Sequence, residues 1–214
     1  NSRLVRIMLQ QICENPPKYD SLTGKWETDE QELDKACTMF SHLPLGFMDV
    51  HGSTPTDDVL ESMYKAASLT DNSGNRLYRH IVLDNLQFML SSQSTGSLDK
   101  FDLSDRVVAA LRHFATTTGV HVTLVIHPRK EADDTSLGLS SVSGTAKATQ
   151  EADNVIILQK IMGHRFLDVK KNRFSGQLGR VEISYNPATR MVSEVSPEER
   201  RQQRAEQAPA SASA

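Results

Sequence analysis

Residues 80–88 read His80-Ile81-Val82-Leu83-Asp84-Asn85-Leu86-Gln87-Phe88. Ile81, Val82 and Leu83 form a short apolar run. Asp84 ends it, and the polar residues Asn85 and Gln87 follow. A continuous apolar run is the pattern of a strand buried on both faces of a parallel sheet. Ligands of such sheets bind at the carboxyl ends of the strands. A carboxylate at that end is where nucleotide-hydrolysing folds hold magnesium, the Walker B position. The same Asp also suits an ordinary turn, so the neighbouring segments decide between the two.

Downstream, residues 103–118 place Val107, Val108, Leu111, Phe114 and Ala115 on one helical face, and Gly119 stands at the helix-ending position. Residues 120–126 are a second apolar strand, closed by His127. Strand, helix, strand with both strands apolar predicts a βαβ unit and a parallel sheet. Residues 154–158 read as a third buried strand. From Phe166 onward the pattern becomes short and alternating, over 166–169, 181–185 and 190–192, with Gly176, Gly179 and Asn186-Pro187 between. The fold class is therefore α/β: a mostly parallel sheet flanked by helices, with antiparallel edge strands at the C-terminal end.

Upstream, Leu4, Val5, Met8, Leu9 and Ile12 recur at helical spacing. Residues 14–27 hold Pro16, Pro17 and Gly24 and read as a surface loop. Asp29 opens a second helix with Leu33, Ala36, Cys37 and Phe40 on one face, and Pro44 stops it. Residues 45–50 are a strand candidate. A third helix starts at 54–58 and buries Val59, Leu60, Met63, Tyr64 and Ala67. Residues 70–79, 91–100 and 128–145 read as loops, and 146–152 as a short helix. Residues 198–204 fit a charged helical end before an Ala/Ser/Pro tail.

The 214 residues carry 38% hydrophobic and 24% charged side chains and a formal net charge of −3. That balance excludes a uniformly basic nucleic-acid binder, so any DNA contact must come from a local basic patch. Cys13 and Cys37 lie in helical patterns without metal-ligand spacing and are expected to be buried thiols of a reducing compartment. No apolar run approaches a membrane span. The sequence opens at Asn1, inside a helical pattern, as a piece of a longer chain would.

Three polar groups fall at strand ends: Asp84, His127 and the Lys171-Asn172-Arg173 cluster. Each has a role in nucleotide hydrolysis. Asp84 suits Mg²⁺ held through a bound water. His127, neutral and donating a hydrogen bond, suits sensing of a terminal phosphate. Arg173 suits placement of a fixed planar cation on phosphoryl oxygens as charge develops. Each also has an ordinary alternative, as a turn carboxylate, a satisfied turn histidine or a solvated edge that discourages strand pairing.

Four blocks, IVLDNLQFML, HVTLVIHPRKE, SGTAKATQEADNVIILQ and VKKNRFSGQLG, occur in an order that resembles the C-terminal domain of the ring-shaped replicative DNA helicases, in particular their mitochondrial branch. The resemblance runs from Asn1 to Val195. It implies a RecA-like core that assembles as a hexameric or heptameric ring, with ATP and Mg²⁺ between subunits and single-stranded DNA in the channel. By the resemblance Asp84 is the Walker B carboxylate, His127 the polar sensor, and Gln87 a further nucleotide contact. Arg173 is the arginine finger reaching the neighbouring subunit's nucleotide, and Lys171 is its companion. Arg129, Lys130 and Lys147 are the DNA-phosphate candidates, with Glu131, Asp133 and Asp134 opposing their field. The resemblance further implies 5'–3' unwinding of forked DNA, mitochondrial DNA polymerase and single-strand binding protein as partners, and the nucleoid of the mitochondrial matrix as location.

One departure is decisive: no G-x-x-x-x-G-K-[ST] occurs in these residues, so the phosphate-cradling loop is absent, as is the family's catalytic glutamate. Residues 1–195 are thus expected to be a partial RecA-like domain unable to hydrolyse ATP alone, and 196–214 a disordered tail. Two other readings stand beside this one. The first is a RecA-type recombinase or ATPase with the same core, against which KNRFSGQLG after EADNVIILQ argues. The second is a non-catalytic fragment that only docks to DNA or helicase subunits.

Overall fold

A computed structural model describes residues 2–13, 17–48, 54–91, 100–129, 131–132, 135–142 and 146–201. The chain divides into two compact units. The first comprises Asn1–Leu43, Leu158–Asp168 and Gly179–Ala214, and the second Pro44–Ile157 and Val169–Leu178.

The first unit opens with helix α1 (Ser2–Ile12), strands β1 (Lys18–Asp20) and β2 (Lys25–Glu27), and helix α2 (Glu30–Ser41). Residues 18–27, expected to be loop, are an antiparallel hairpin in which Lys18 pairs with Glu27 and Asp20 with Lys25. The Asp20 carboxylate accepts from the Leu22 N–H at 2.8 Å and the Thr23 hydroxyl at 2.6 Å. Gly24, at φ +67°, completes the turn with a conformation that residues carrying a Cβ seldom adopt. Asp29 caps α2 as its composition predicts, accepting from the N–H groups of Gln31 and Glu32. Cys13 is buried, but Cys37 is exposed, contrary to the sequence reading. The buried stripe of α2 narrows to Ala36, and Cys37 lies one residue off it.

The second unit holds helix α3 (Thr56–Ser68), strand β3 (His80–Asp84), helix α4 (Leu86–Ser91), helix α5 (Lys100–Thr118), strand β4 (His121–Val125), a 3-10 turn at Leu139–Ser141 and helix α6 (Ala146–Glu151). β3 and β4 pair in parallel, His80 opposite His121 through Asp84 opposite Val125, so they start and end together. α5 makes the crossover that a parallel pair needs. Its apolar stripe meets α3 and α4 in one core of Val59, Met63, Leu86, Val107, Leu111 and Phe114. Phe114 is fully buried and stands edge-on to Tyr64 at 4.9 Å between centroids; losing such a side chain costs about 3–5 kcal/mol. Gly119, at φ +68°, ends α5 and returns the chain into β4.

β3 is not buried on both faces as its run of apolar residues suggested. Ile81 is in the core at 7% exposure, whereas Val82, pointing the other way, is 59% exposed. Residues 45–48 form no strand, and 49–50 lie outside the described residues.

Strands β5 (Asn154–Ile161), β6 (His164–Asn172), β7 (Gly179–Tyr185) and β8 (Val192–Glu194) form a four-stranded sheet in that order. β5 begins the expected C-terminal edge sheet. It is not a third buried strand, since Ile156 and Leu158 are 60% and 63% exposed. Met162 and Gly163, both at positive φ, make the two-residue turn that joins β5 to β6. In the first unit, buried Asp168 of β6 accepts from Gln159 of β5 at 2.7 Å and from Arg180 of β7 at 2.7 and 3.1 Å. Residues 197–201 are helical, started by reciprocal bonds between Ser196 and Glu199. No helix among the described residues is long and apolar enough to cross a membrane.

Candidate active site

The parallel register sets Asp84 at the carboxyl end of β3, exposed, with His127 two residues past the end of β4. The two strand ends are joined by side chains. Asn85 Nδ2 lies 2.9 Å from His127 Nε2. With the amide nitrogen as donor, Nε2 is the acceptor in this contact and Nδ1 is left to donate. Gln87, on the first turn of α4, holds the histidine's backbone. Its Nε2 donates to the His127 carbonyl at 3.3 Å, and its Oε1 accepts the His127 N–H at 3.4 Å. The structure thus brings Asp84, Gln87 and His127 together. It also adds Asn85, which the sequence marked only as polar.

Lys171 and Arg173 form a second cluster around the end of α6. The Lys171 ammonium donates to the carbonyls of Thr149 at 2.7 Å and Gln150 at 2.9 Å, which have no partner further along a helix that stops at Glu151. Burial, and then the neighbouring Arg173 cation, push the Lys171 pKa down. Arg173 donates from one guanidinium nitrogen to Asp153 Oδ1 at 2.9 Å and from the other to the Gln150 carbonyl at 3.0 Å. The other oxygen of Asp153 accepts from Arg112 of α5 at 2.7 Å. The Arg112 hydrogen bond is the main reason the Asp153 carboxyl lies below the usual carboxylate range. Asp153 and Arg112 were not among the residues picked from the sequence. Asp153 belongs to the EADN block, immediately before an apolar strand, and that was its one signal. Arg112 had none.

Of the DNA candidates, Arg129 is exposed, and its N–H donates to the Ser141 carbonyl at 2.8 Å. A bridge between Pro128 and Val142 ties the loop after His127 to the 3-10 turn. Lys147 is half-buried in the first turn of α6, and Lys130 lies outside the described residues. A cavity of about 410 Å³ lined by Gly74, Asn75, Arg76, Arg79 and Gly119 lies at the opposite, amino ends of β3 and β4.

Among the described residues no group of three or more His, Cys, Asp or Glu side chains could cage a metal. Asp84, an exposed carboxylate at a strand end, could serve as one ligand of a magnesium ion whose shell waters and phosphates complete.

A sequence profile of the AAA domain family, AAA_25, matches residues 15–133, more than half of the chain. Solved structures that share the fold include the following two. A DnaB-like replicative helicase, described with its interactions with primase, superposes with a TM-score of 0.73 at 13% identity, over 88% of this chain and 46% of that one. A second solved structure, described as an ATPase domain, gives 0.71 at 13% identity, over 91% and 69%. The chain spans less than half the length of that DnaB-like helicase.

Proposed function

The chain belongs to the AAA domain family, and on that premise we propose that it is part of the ATP-driven motor of a ring-shaped replicative DNA helicase. The finer reading is a mitochondrial helicase of the Twinkle type, hexameric or heptameric. It travels 5'–3' on single-stranded DNA in the matrix nucleoid and works beside a DNA polymerase and a single-strand binding protein. The observation that carries the proposal is the pairing of Asp84 with the Asn85–His127 contact at the carboxyl edge of two parallel strands.

We assign each residue the following part. Asp84 holds Mg²⁺, which neutralises charge on the nucleotide phosphates when bound. His127, with Nε2 engaged by Asn85, keeps Nδ1–H to donate to a terminal phosphoryl oxygen. Gln87 fixes the backbone from which that ring projects. Arg173 acts in trans on a neighbouring subunit's nucleotide, with Lys171 beside it. Arg129, Lys130 and Lys147 contact DNA phosphates.

The test is a mixing experiment on the full-length ring. Asp84→Ala subunits lack a working nucleotide site but keep Arg173; Arg173→Ala subunits have the opposite defect. Each variant alone should lose ATPase activity, the arginine change by roughly 10³- to 10⁵-fold. Mixed rings should regain activity at interfaces where a sound site faces a sound arginine. Mixed rings that form without regaining ATPase activity refute the trans assignment.

A further inference from the structure

The contact that connects Arg173 to the body of the second unit has a geometry the mechanism above does not use. Asp153 lies in the two-residue link between α6 and β5 and holds Arg173 twice. Its backbone carbonyl accepts the Arg173 N–H at 2.9 Å, and its Oδ1 accepts the guanidinium at 2.9 Å. Its Oδ2 is taken by Arg112 at 2.7 Å. Arg112 sits on α5 between Leu111 and Phe114, both core residues, so its support is the best-packed helix of the unit. A chain of two charge-assisted bonds therefore runs from the core, through one carboxylate, to Arg173.

The guanidinium is held without being used up. Of its five N–H donors, two are engaged among the described residues, one with Asp153 and one with Gln150, and the side chain stays 49% exposed. A free arginine at a turn would sample many rotamers. This one offers its remaining donors in a fixed plane, the arrangement that bidentate capture of phosphoryl oxygens requires.

We propose that Asp153, anchored to α5 by Arg112, is the positioning residue that presents Arg173 to the phosphoryl oxygens of a neighbouring subunit's nucleotide. This rests on the reading of Arg173 as the trans-acting arginine. The shared carboxylate sets the plane and reach of the guanidinium, and Arg112 keeps that carboxylate from following Arg173 when the nucleotide arrives.

The experiment measures single-turnover and steady-state ATP hydrolysis in the full-length ring for Asp153→Asn, Arg112→Gln, Arg173→Ala and each of the first two combined with Arg173→Ala. Misplacement by about 1 Å costs up to about 10²-fold. Asp153→Asn should therefore lower kcat about 10- to 100-fold with KM for ATP unchanged, and Arg112→Gln about 10-fold. Neither should slow the Arg173→Ala ring further. Additional slowing in the double variants, or a native kcat in Asp153→Asn, overturns the proposal. Should Asp153→Asn lose its far-ultraviolet circular dichroism, Arg112→Gln and its double variant decide by the same criterion. A native rate in Arg173→Ala alone refutes the trans-arginine reading and this inference with it. A native rate in Asp153→Asn beside a slow Arg173→Ala refutes only the positioning role.

Discussion

Replacing Asp168 with Ala should destabilise the first unit strongly. Its carboxylate is 7% exposed and accepts hydrogen bonds from Gln159 on β5 and from Arg180 on β7. It thereby ties three adjacent strands across β6. Breaking a buried pair by removing one partner costs about 3–5 kcal/mol. The lower end applies here, because Arg180 is 39% exposed and can turn to water. Gln159 is 5% exposed, and a buried donor that loses an acceptor costs about 1–3 kcal/mol. The expected loss for Asp168→Ala is thus about 3 kcal/mol, and about half that for Asp168→Asn, which keeps an acceptor oxygen but not the charge. Urea unfolding followed by circular dichroism measures both. A double-mutant cycle with Arg180→Ala should give a coupling of about 1–2 kcal/mol. A loss below about 1 kcal/mol in Asp168→Ala, with no coupling to Arg180, would show that the network is an ordinary surface pair and refute the reasoning.

Two further outcomes are expected. In the full-length ring, Arg129→Ala, Lys130→Ala and Lys147→Ala should each weaken single-stranded DNA binding across all sequences and reduce the log–log salt slope by about 0.7; three unchanged slopes remove these residues from the DNA path. Asp153 has a depressed folded pKa, chiefly from Arg112. Its contribution is therefore complete above the unfolded value of about 3.9 and disappears as pH falls through the lower folded one. The stability gap between the native chain and Asp153→Asn should narrow as pH falls below about 3.9, and a constant gap contradicts it.

What the sequence made legible follows from range. α5 was readable because five apolar residues at 107, 108, 111, 114 and 115 repeat on one face, and the structure buries Val107, Val108, Leu111 and Phe114. The strand ends at Asp84 and His127 were readable because each residue closes an apolar run; parallel pairing sets Asp84 opposite Val125, two residues before His127. α4 was missed because six residues are too few to display a helical period, and the β1–β2 hairpin because its strands, KYD and KWE, are three residues each, too short for their alternation to stand out between prolines and a glycine. The Arg112–Asp153 bond spans 41 residues. It exists because α5 passes the link before β5, a fact of packing that leaves no periodicity in either segment. Val82 misled for a related reason: composition reports that a strand is apolar, but only the surrounding elements decide which face they cover.

The in-register start and finish of β3 and β4 makes the segment from Gly119 to His127 a ruler. Each residue along a strand advances the chain about 3.3 Å and turns the next side chain to the opposite face. Asn85 reaches His127 across 2.9 Å, less than one such step. A single inserted or deleted residue within β4 would carry the imidazole out of reach and reverse every side chain behind it. Substitution there can be absorbed by repacking; a change in length cannot. The spacing between the end of α5 and His127 is therefore a dimension of the machine in its own right, specified by counting residues as much as by their chemistry.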